Sequence, residues 1–418
     1  MAHHFKLASA LLIGVYVAPS ANSMNWSRSV PPPPVTAATM AQASVEAAPE
    51  RMLIDTLNAV RSNRLDDALR LVDALIEKNP NYKLAHLIKG DLLLARTRPL
   101  TTLGNAGDAH AEKLNDLRAE AQVRLKHYLA PPPSEAIPAS LVKLSPQQAY
   151  AVVVDATSSR LYMFRNDNGV PRYLLDFYVT IGKQGAGKNR EGDQRTPVGV
   201  YFVTGKLPRA DLDKTYGAQA DLYGVGAWPL SYPNEWDKRQ GRDGHGIWLH
   251  GSPSDTYSRP PLASNGCVVL TNPDMAALGR YLSAGTPVVI TPRIEWLAMD
   301  EWRSRAAKAQ AQLDHWRSDW EKLDTEHYLA HYSDDFRANG TDINTWRKQK
   351  SQINASKQWA KVKLENVSLF AYPAETPMLL TSFDQDYQSN NLNNRTRKRL
   401  YWKQEGPGWK IVYEGSQG

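Results

Sequence analysis

Hydrophobic and polar positions follow a helical period over the first third of the chain after its N-terminal segment. Apolar residues recur at intervals of three and four, a spacing that lines one face of a helix; they are Ala68, Leu71, Val72, Leu75 and Ile76. The segment Asn79-Pro80-Asn81 interrupts this pattern, and further helical runs cover 82–96 and 114–128. Residues 50–130 are therefore predicted to form a helical region.

The first two helical runs resemble one tetratricopeptide-like hairpin. A single unit of this kind cannot bury a solenoid core by stacking on identical neighbours. We therefore interpret it as a helical platform. Binding of a protein partner or dimerisation through this region stays an open alternative, as it does for the C-terminal region.

The pattern changes to that of strands after Pro131–Pro133. Six short runs, separated by clusters of Gly, Pro, Asn and Asp, have the alternation and composition of strands: Ala151–Val154, Arg160–Phe164, Tyr173–Ile181, Val198–Val203, Ile247–His250 and Val288–Thr291. Such spacing favours a mostly β domain over repeated βαβ units. We place this predicted domain at 138–293.

The last part of the chain, 294–418, begins with a long helical pattern in which Trp302, Trp316 and Trp320 form a stripe. Such a stripe is more often helix core than a ligand platform. Four strand-like runs follow, Val362–Phe370, Met378–Tyr387, Arg395–Gln404 and Trp409–Tyr413. This order of elements resembles the nuclear-transport-factor-like (SnoaL-like) α+β cone, so the expected fold class is a multidomain α+β protein.

The N-terminal segment has the pattern of an export signal. The apolar run Leu7–Val17 is followed by small residues up to Ser23, and it is shorter than the about 20 apolar residues that a spanning helix needs. Residues 1–23 are predicted to be a cleaved signal rather than a retained anchor, and 24–49, with Pro31–Pro34, a disordered linker. The mature chain is then expected in the periplasm or cell envelope, without a membrane span.

The charge and the cysteine content narrow the chemistry. A formal net charge of +7 suits acidic polymers, and a cell wall qualifies as well as nucleic acid does. Cys267 is the only cysteine, so it cannot form a disulfide within the chain, although exported proteins usually pair their cysteines. The thiol is either inert or reactive, and its sequence neighbours favour the second.

Those neighbours supply the parts of a thiol nucleophile. A thiol attacks an amide carbonyl well only as thiolate, which requires a nearby imidazole and donors for the oxyanion. His250 ends an apolar run, and alternation puts Trp248 on its face. Asn265-Gly266 allows a tight turn that would leave the amides of Gly266 and Cys267 free to face a developing negative charge. The seventeen positions from His250 to Cys267 suffice for a returning loop.

These residues resemble the signature of the L,D-transpeptidase (YkuD-type) catalytic domain, which is His-Gly, a spacer, then Ser/Thr-x-Gly-Cys. The segment Gly192–Tyr201, with Thr196-Pro197-Val198-Gly199, is similar to the Thr-Pro-x-Gly-x-aromatic strand of that family. The piece Trp228–Trp236 looks like the branch near the YafK-type members. The resemblance covers 141–293, about a third of the chain.

The resemblance implies a role for each matching residue. Cys267 would be the nucleophile, His250 the general base, and the Gly251 carbonyl would orient the imidazole, as an Asp does elsewhere. Further candidates for the oxyanion pocket and the substrate walls are Ser264, Asn265, Gly266, Thr196, Trp248 and Tyr232.

The implied substrate is the stem peptide of peptidoglycan. Attack on the bond between its third residue and the terminal D-Ala would release D-Ala and leave a thioester. An amine acceptor would then give a 3→3 cross-link or an attached protein, whereas water would give a tripeptide. The resemblance implies no cofactor.

One position departs from the family. Most transpeptidases carry Arg two residues after the cysteine, where this chain has Val269. The same branch includes L,D-carboxypeptidases and related hydrolases, some with a nuclear-transport-factor-like C-terminal domain. Transpeptidase is the leading hypothesis, a carboxypeptidase the alternative, and an inactive cell-wall-binding scaffold the third.

Three other sequence patterns give weaker indications of function. Gly182–Lys188 imitates a phosphate loop, but Asn189 stands where a hydroxyl should bind magnesium. The basic run 395–399 is interpreted as a solvated edge rather than a nucleic-acid site. The histidines show no pair at zinc spacing, so no metal is expected, and His245 is interpreted as a loop residue.

Overall fold

The structure, a computed structural model, describes residues 48–99, 102–105, 111–338 and 340–417. The predicted signal and nearly all of the predicted linker lie outside these ranges. Within them, no helix combines the length and apolar character needed to cross a membrane.

The N-terminal region is helical, as predicted. Its helices are α1 (Ala48–Arg61), α2 (Leu65–Lys78), α3 (Lys83–Leu94) and α4 (Ala111–Leu129). The predicted face of α2 is buried at Ala68, Val72 and Leu75, and it packs into a core with residues of α1, α3 and α4. We call residues 48–130 the helical unit. Tyr257, from far along the chain, packs against the same core.

The middle of the chain holds a five-stranded mixed sheet. Its strands are β3 (Tyr150–Asp155), β4 (Arg160–Asp167), β5 (Val170–Tyr178), β7 (Gly199–Phe202) and β13 (Pro287–Thr291), and they lie in the order β5-β4-β3-β13-β7. β3, β4 and β5 form antiparallel hairpins, and only the β13–β3 pair is parallel. The domain is therefore mostly β, as predicted, without repeated βαβ units.

A second sheet of four short strands faces the first. Its strands are β8 (Leu207–Pro208), β9 (Gly226–Pro229), β10 (Trp248–His250) and β12 (Val268–Val269), and they lie in the order β12-β10-β9-β8. A parallel pair, β6 (Ile181–Gly182) and β11 (Leu262–Ser264), lies beside it. Three helical segments accompany these strands, α5 (Arg209–Tyr216) with a 3₁₀ helix (Gly217–Tyr223), α6 (Glu235–Arg239) and α7 (Asn272–Leu278). The apolar core lies between the two sheets.

The C-terminal region is an α+β unit, as expected. Helices α8 (Met299–Glu321), α9 (Thr325–Ala330) and α10 (Ile343–Ala355) pack on a sheet of four long strands, β17 (Ala360–Tyr372), β18 (Met378–Ser389), β19 (Asn393–Glu405) and β20 (Gly408–Gln417). Two short strands, β15 (Arg337–Ala338) and β16 (Thr341–Asp342), pair with each other. Trp302, Trp316 and Trp320 are buried, so the Trp stripe is helix core.

The two last regions share strands and apolar side chains. Strand β1 (Ile137–Pro138) pairs with β14 (Trp296–Leu297). Strand β2 (Leu141–Lys143) joins the C-terminal sheet as its edge by pairing with β17, although we predicted 138–293 as one catalytic domain. One apolar core holds residues of both regions, including Val153, Phe202, Phe370 and Leu380. The basic run 395–399 is paired with acids, for example Arg397 with Asp384.

Candidate active site

Cys267 and His250 lie on one face of a short parallel strand pair. In the β10–β12 register, Leu249 is opposite Val268 and His250 is opposite Val269. Cys267, one position earlier, is therefore beside Trp248, and alternation turns its side chain to the face that carries Trp248 and His250. Diagonal neighbours on one sheet face are within reach of long side chains. The structure thus brings together the two residues that the sequence singles out.

The imidazole of His250 has a fixed orientation. Its Nδ1 lies 2.7 Å from the carbonyl oxygen of Gly251, and because a carbonyl only accepts, Nδ1 carries the proton of the neutral ring. Nε2 is then the unprotonated nitrogen. Burial lowers the pKa of His250 to about 4, so the ring is neutral at physiological pH and is able to accept a proton at Nε2.

The thiol of Cys267 is also neutral at rest. Sγ donates to the carbonyl oxygen of Gly246 at 3.3 Å. Burial raises the pKa of Cys267 to about 11, although the side chain keeps some exposure to solvent, and the backbone N–H of Trp248 and the charges of Arg259 and Lys188 oppose the rise. Because both groups are neutral, any reaction of the thiol as a thiolate would require transfer of its proton to a base.

The turn before Cys267 is held by hydroxyl groups. Gly266 adopts φ +126°, and a Cβ there would lie 2.8 Å from the carbonyl oxygen of Arg195, so only glycine fits this close approach. The buried Thr196 donates to the Gly266 carbonyl at 2.9 Å. Ser264 Oγ donates to the Cys267 carbonyl at 2.7 Å and accepts from the Gly266 N–H at 3.1 Å.

This geometry differs from one expectation about the turn. The Gly266 N–H was expected to be free for an oxyanion, but Ser264 occupies it, because the serine hydroxyl lies inside the turn. The backbone amide of Cys267 is then the remaining donor of the expected pair. Asn265 is exposed at the tip of the turn.

An aromatic wall stands beside the reaction centre. The ring of Tyr223 packs edge-on against His250 with centroids 5.3 Å apart and lies 4.9 Å from the Trp248 ring. Tyr216 extends this wall and is 37% exposed. Trp248 belongs to this aromatic cluster, and its role as a substrate wall stays a prediction. Tyr232 lies in the core against Tyr201, with its hydroxyl donating to the Asp243 carbonyl.

Sequence reasoning missed three residues near the thiol. Tyr223 belongs to the 3₁₀ helix, which has no clear sequence pattern. Arg259 lies in the loop between His250 and Cys267, and its charge acts on the thiol. Lys188, noted only for its phosphate-loop spacing, is buried and donates to Asp193 at 2.8 Å. A positive charge inside the His–Cys spacer was the only available signal for Arg259.

One lesser prediction concerns His245. His245 is an exposed loop residue beside Glu191. Among the described residues, no group of three or more His, Cys, Asp or Glu side chains is arranged to hold a metal ion.

Comparison with protein families matches two parts of the chain. Residues 149–290 match the model of the L,D-transpeptidase catalytic domain (YkuD), which confirms the resemblance noted from the His-Gly and Ser-x-Gly-Cys motifs. Residues 308–415 match that of the Cds6 C-terminal NTF2-like domain. The chain therefore carries a catalytic domain of the L,D-transpeptidase family followed by a nuclear-transport-factor-like domain.

Solved structures extend the likeness beyond the single domains. Bd1075 of Bdellovibrio bacteriovorus is 27% identical with a TM-score of 0.59, over 68% of this chain and 98% of that chain. Pgp2 of Campylobacter jejuni, described as a helical cell shape determining protein, is 27% identical with a TM-score of 0.55, over 66% of this chain and 94% of that chain. A search of curated proteins found no match.

Proposed function

We propose that this chain is a cell-envelope enzyme that uses Cys267 to cleave the terminal D-Ala from peptidoglycan stem tetrapeptides and passes the acyl group to an amine. The observation that carries the proposal is the bond from His250 Nδ1 to the Gly251 carbonyl. It leaves Nε2 as a free base on the face shared with Cys267. The match of 149–290 to the L,D-transpeptidase catalytic domain supports the substrate class.

The chemistry begins with a neutral pair. As Sγ forms a bond to the carbonyl carbon of the third stem residue, its proton passes to Nε2 of His250. The carbonyl oxygen becomes an oxyanion, and the Cys267 backbone amide is the proposed donor to it. Collapse of this intermediate breaks the C–N bond, and the imidazolium gives its proton to the leaving amine of D-Ala. The product is a thioester on Cys267.

The residues around the pair have supporting roles. Thr196 and Ser264 hold the turn that aims the Cys267 amide. The rings of Tyr223 and Trp248 form one wall for the stem peptide and limit the access of water to the thioester. In the proposed reaction, a rotation about the Cα–Cβ bond of Cys267 moves Sγ from the Gly246 carbonyl towards His250. Catalytic hydrogen bonds that are long in an unliganded enzyme often shorten only when the substrate binds.

The test is product analysis with purified tetrapeptide muropeptides and mass spectrometry. The parent is expected to release D-Ala, while Cys267→Ala abolishes release and His250→Gln lowers kcat by at least about 10²-fold. His245→Gln serves as the matched control, because this histidine is exposed in a loop. Release that survives Cys267→Ala would rule out the proposed nucleophile.

The same experiment separates transfer from hydrolysis. Cross-linked 3→3 dimers or an added amine in the product support the transpeptidase, whereas tripeptide alone supports the carboxypeptidase alternative. Val269 favours testing that alternative, because it places a buried apolar side chain where most transpeptidases carry an arginine. No release of D-Ala and no acylation of Cys267 by a carbapenem would leave the scaffold interpretation.

The cell shape role described for Pgp2 suggests a physiological readout. We propose that loss of this chain changes stem-peptide composition and, through it, the shape of the cell. The proposed location is the periplasm or envelope, where the substrate is.

A further inference from the structure

The loop that joins His250 to Cys267 is contacted from outside the catalytic domain. Between β10 and β11 this loop contains turns and bends but no helix. Two contacts come from the connection between α2 and α3: Asn81 donates through Nδ2 to the Ser254 carbonyl at 3.3 Å, and the Tyr257 N–H donates to the Asn81 carbonyl at 3.4 Å. The rings of Tyr82 and Tyr257 lie 4.6 Å apart.

A buried ion pair makes the next contact. Arg124 Nη2 donates to Ser258 Oγ at 2.8 Å, and Ser258 Oγ donates to Glu120 at 2.8 Å. Arg124 and Glu120 also bond to each other at 3.0 Å. The side chains of Glu120, Arg124 and Ser258 are 1–6% exposed. We call these three residues the loop clamp.

A buried ion pair gains little net stability, because desolvation offsets most of the attraction. What it does impose is geometry, since every donor and acceptor must be satisfied. Arg124 also stacks on the Tyr178 ring at 3.8 Å, and Glu50 lies 3.5 Å from its guanidinium. Ser258 is therefore held from several directions at once.

The residue after the clamp, Arg259, contacts segments that flank Cys267, since Ala263 lies four positions before the cysteine and Thr180 pairs with Val269. The Arg259 carbonyl accepts from Tyr178 Oη at 2.9 Å and from Thr180 Oγ1 at 3.1 Å. Its guanidinium donates to the Ala263 carbonyl, and its charge acts on Cys267. Among the described residues, no carboxylate is paired with Arg259, so its charge remains available to the sulfur or to a substrate.

We propose that the loop clamp of the helical unit positions Arg259 beside Cys267, so that the helical unit is part of the machinery that makes the thiol reactive. Arg259 stabilises the anionic sulfur, and Glu120, Arg124 and Ser258 are positioning residues that act through it. This inference rests on the proposed role of Cys267 as nucleophile. It also gives a reason why the helical unit is docked on this loop.

The test measures the reactivity of the single thiol directly, by iodoacetamide alkylation of the full chain between about pH 7 and pH 9.5. The charged and titratable groups around Cys267 are Arg259, Lys188, His250 and Tyr223. Ser258→Ala and Arg259→Met are expected to slow alkylation at least about threefold at each pH, which corresponds to a rise of about half a unit in the pKa of Cys267. Ser258→Thr, which keeps the hydroxyl, should recover most of the parent rate.

Two further variants separate positioning from stability. Glu120→Leu combined with Arg124→Met replaces the pair by apolar groups, a change that is often neutral for folding, yet it removes both partners of Ser258 and should slow alkylation as much as Ser258→Ala. Asp91→Asn is the matched control, because Asp91 is a buried acid of the helical unit that accepts from the backbone N–H groups of Gly104 and Asn105. Its alkylation profile should equal that of the parent.

Unchanged alkylation in a folded Ser258→Ala or double variant overturns the inference. Equal slowing in Asp91→Asn also overturns it, since the effect would then follow general loosening of the helical unit. Alkylation needs no peptidoglycan, so these outcomes are distinct from failure of the proposed function, which is judged by D-Ala release. In the muropeptide assay, the clamp variants should lower kcat more than they change KM.

Discussion

The helical unit and the C-terminal domain are joined to the catalytic domain by different kinds of contact. The C-terminal joint is an apolar core in which side chains of both sheets interdigitate, with Phe370 fully buried and 6.1 Å from the Phe202 ring. The helical joint is built mainly from polar and charged groups with little exposure. Glu120 and Arg124 bond to Ser258, Arg160 of β4 pairs with Glu50 at 2.6 Å and Asp176 of β5 contacts His127 at 3.1 Å, and the rings of Tyr82 and Tyr257 pack together.

The two kinds of contact are expected to differ in what they contribute, one mainly to stability and the other mainly to geometry. Apolar burial stabilises in proportion to its area, with little demand on exact angles. A buried ion pair stabilises little on balance, but it tolerates few arrangements. We therefore expect the C-terminal joint to hold the molecule together, and the helical joint to fix the geometry of the loop and the strands that it contacts.

The largest effect is expected at the apolar joint. Phe370→Ala should lower the free energy of unfolding by about 3–5 kcal/mol, because it leaves a cavity between two sheets. Urea unfolding followed by tryptophan fluorescence measures the change. Ile353→Ala, at an exposed apolar position on α10, is the control and should change stability by less than about 0.5 kcal/mol. A small effect of Phe370→Ala would mean that the joint is not a shared core.

The second effect concerns the ion pair. Arg124→Met alone should lower the free energy of unfolding by about 3 kcal/mol, because it leaves Glu120 buried without its cation. Burial already raises the pKa of Glu120, and Arg124 opposes that rise. The added change Glu120→Leu should restore most of the loss in the same urea experiment. If the double variant is as unstable as the single one, the ion pair itself contributes to the free energy of unfolding, and its role is not limited to geometry.

The third effect depends on pH. Burial raises the pKa of Asp274 to about 7, with Glu50 adding to the rise and Thr271 and Arg124 opposing it. The folded state therefore binds this proton more tightly than the unfolded chain. The resulting stability is complete below about pH 4 and is lost as the pH rises through about 7. Asp274→Asn, which keeps the neutral shape, should be more stable than the parent by about 2 kcal/mol at pH 8 and about equal to it at pH 4.

Thermal unfolding of parent and variant side by side measures this difference at each pH. The comparison cancels the opposite contribution of His250, whose lowered pKa removes stability as the pH falls from about 6.5 to about 4. A difference between parent and variant that is the same at pH 4 and pH 8 would assign the effect to packing instead of to the proton.

The smallest effect is expected for the charged contact at the C-terminal joint. Glu235 accepts from Arg399 at 3.1 Å and from the Tyr401 hydroxyl at 3.0 Å. Glu235→Gln keeps an acceptor oxygen, and Arg399 still stacks on Phe202 at 4.3 Å, so the loss should be about 1 kcal/mol. A loss as large as that of Arg124→Met would remove the contrast between the two joints.

The parts of the fold that were predictable have strong local patterns. The long strands of the C-terminal sheet and the apolar face of α2 follow regular periods, and their positions agree with the structure within a few residues. The helices α5, α6, α7 and α10 were missed. The first three are short, and α10 has only Ile343 and Asn354 buried, so an apolar stripe is absent from its sequence.

The residues of the candidate site also differ in whether a local sequence pattern could predict them. Cys267, His250 and Gly251 were identified because their motif is local and its chemistry is specific. The loop clamp was not, because Arg124 and Ser258 are 134 positions apart and neither is unusual in its own segment. Tyr232 was predicted as a substrate wall, but its side chain is buried against Tyr201, a packing contact that the sequence does not reveal.

Strand β2 has a consequence for the way the chain acquires its fold. Leu141 is synthesised before the catalytic domain, yet it pairs with Phe370. This edge of the C-terminal sheet therefore cannot form until more than two hundred further residues have been synthesised. The catalytic domain is thus an insertion within the C-terminal one. Such high contact order slows folding. A fragment beginning at 294 would also expose the flank of β17 as an unprotected edge, open to intermolecular pairing.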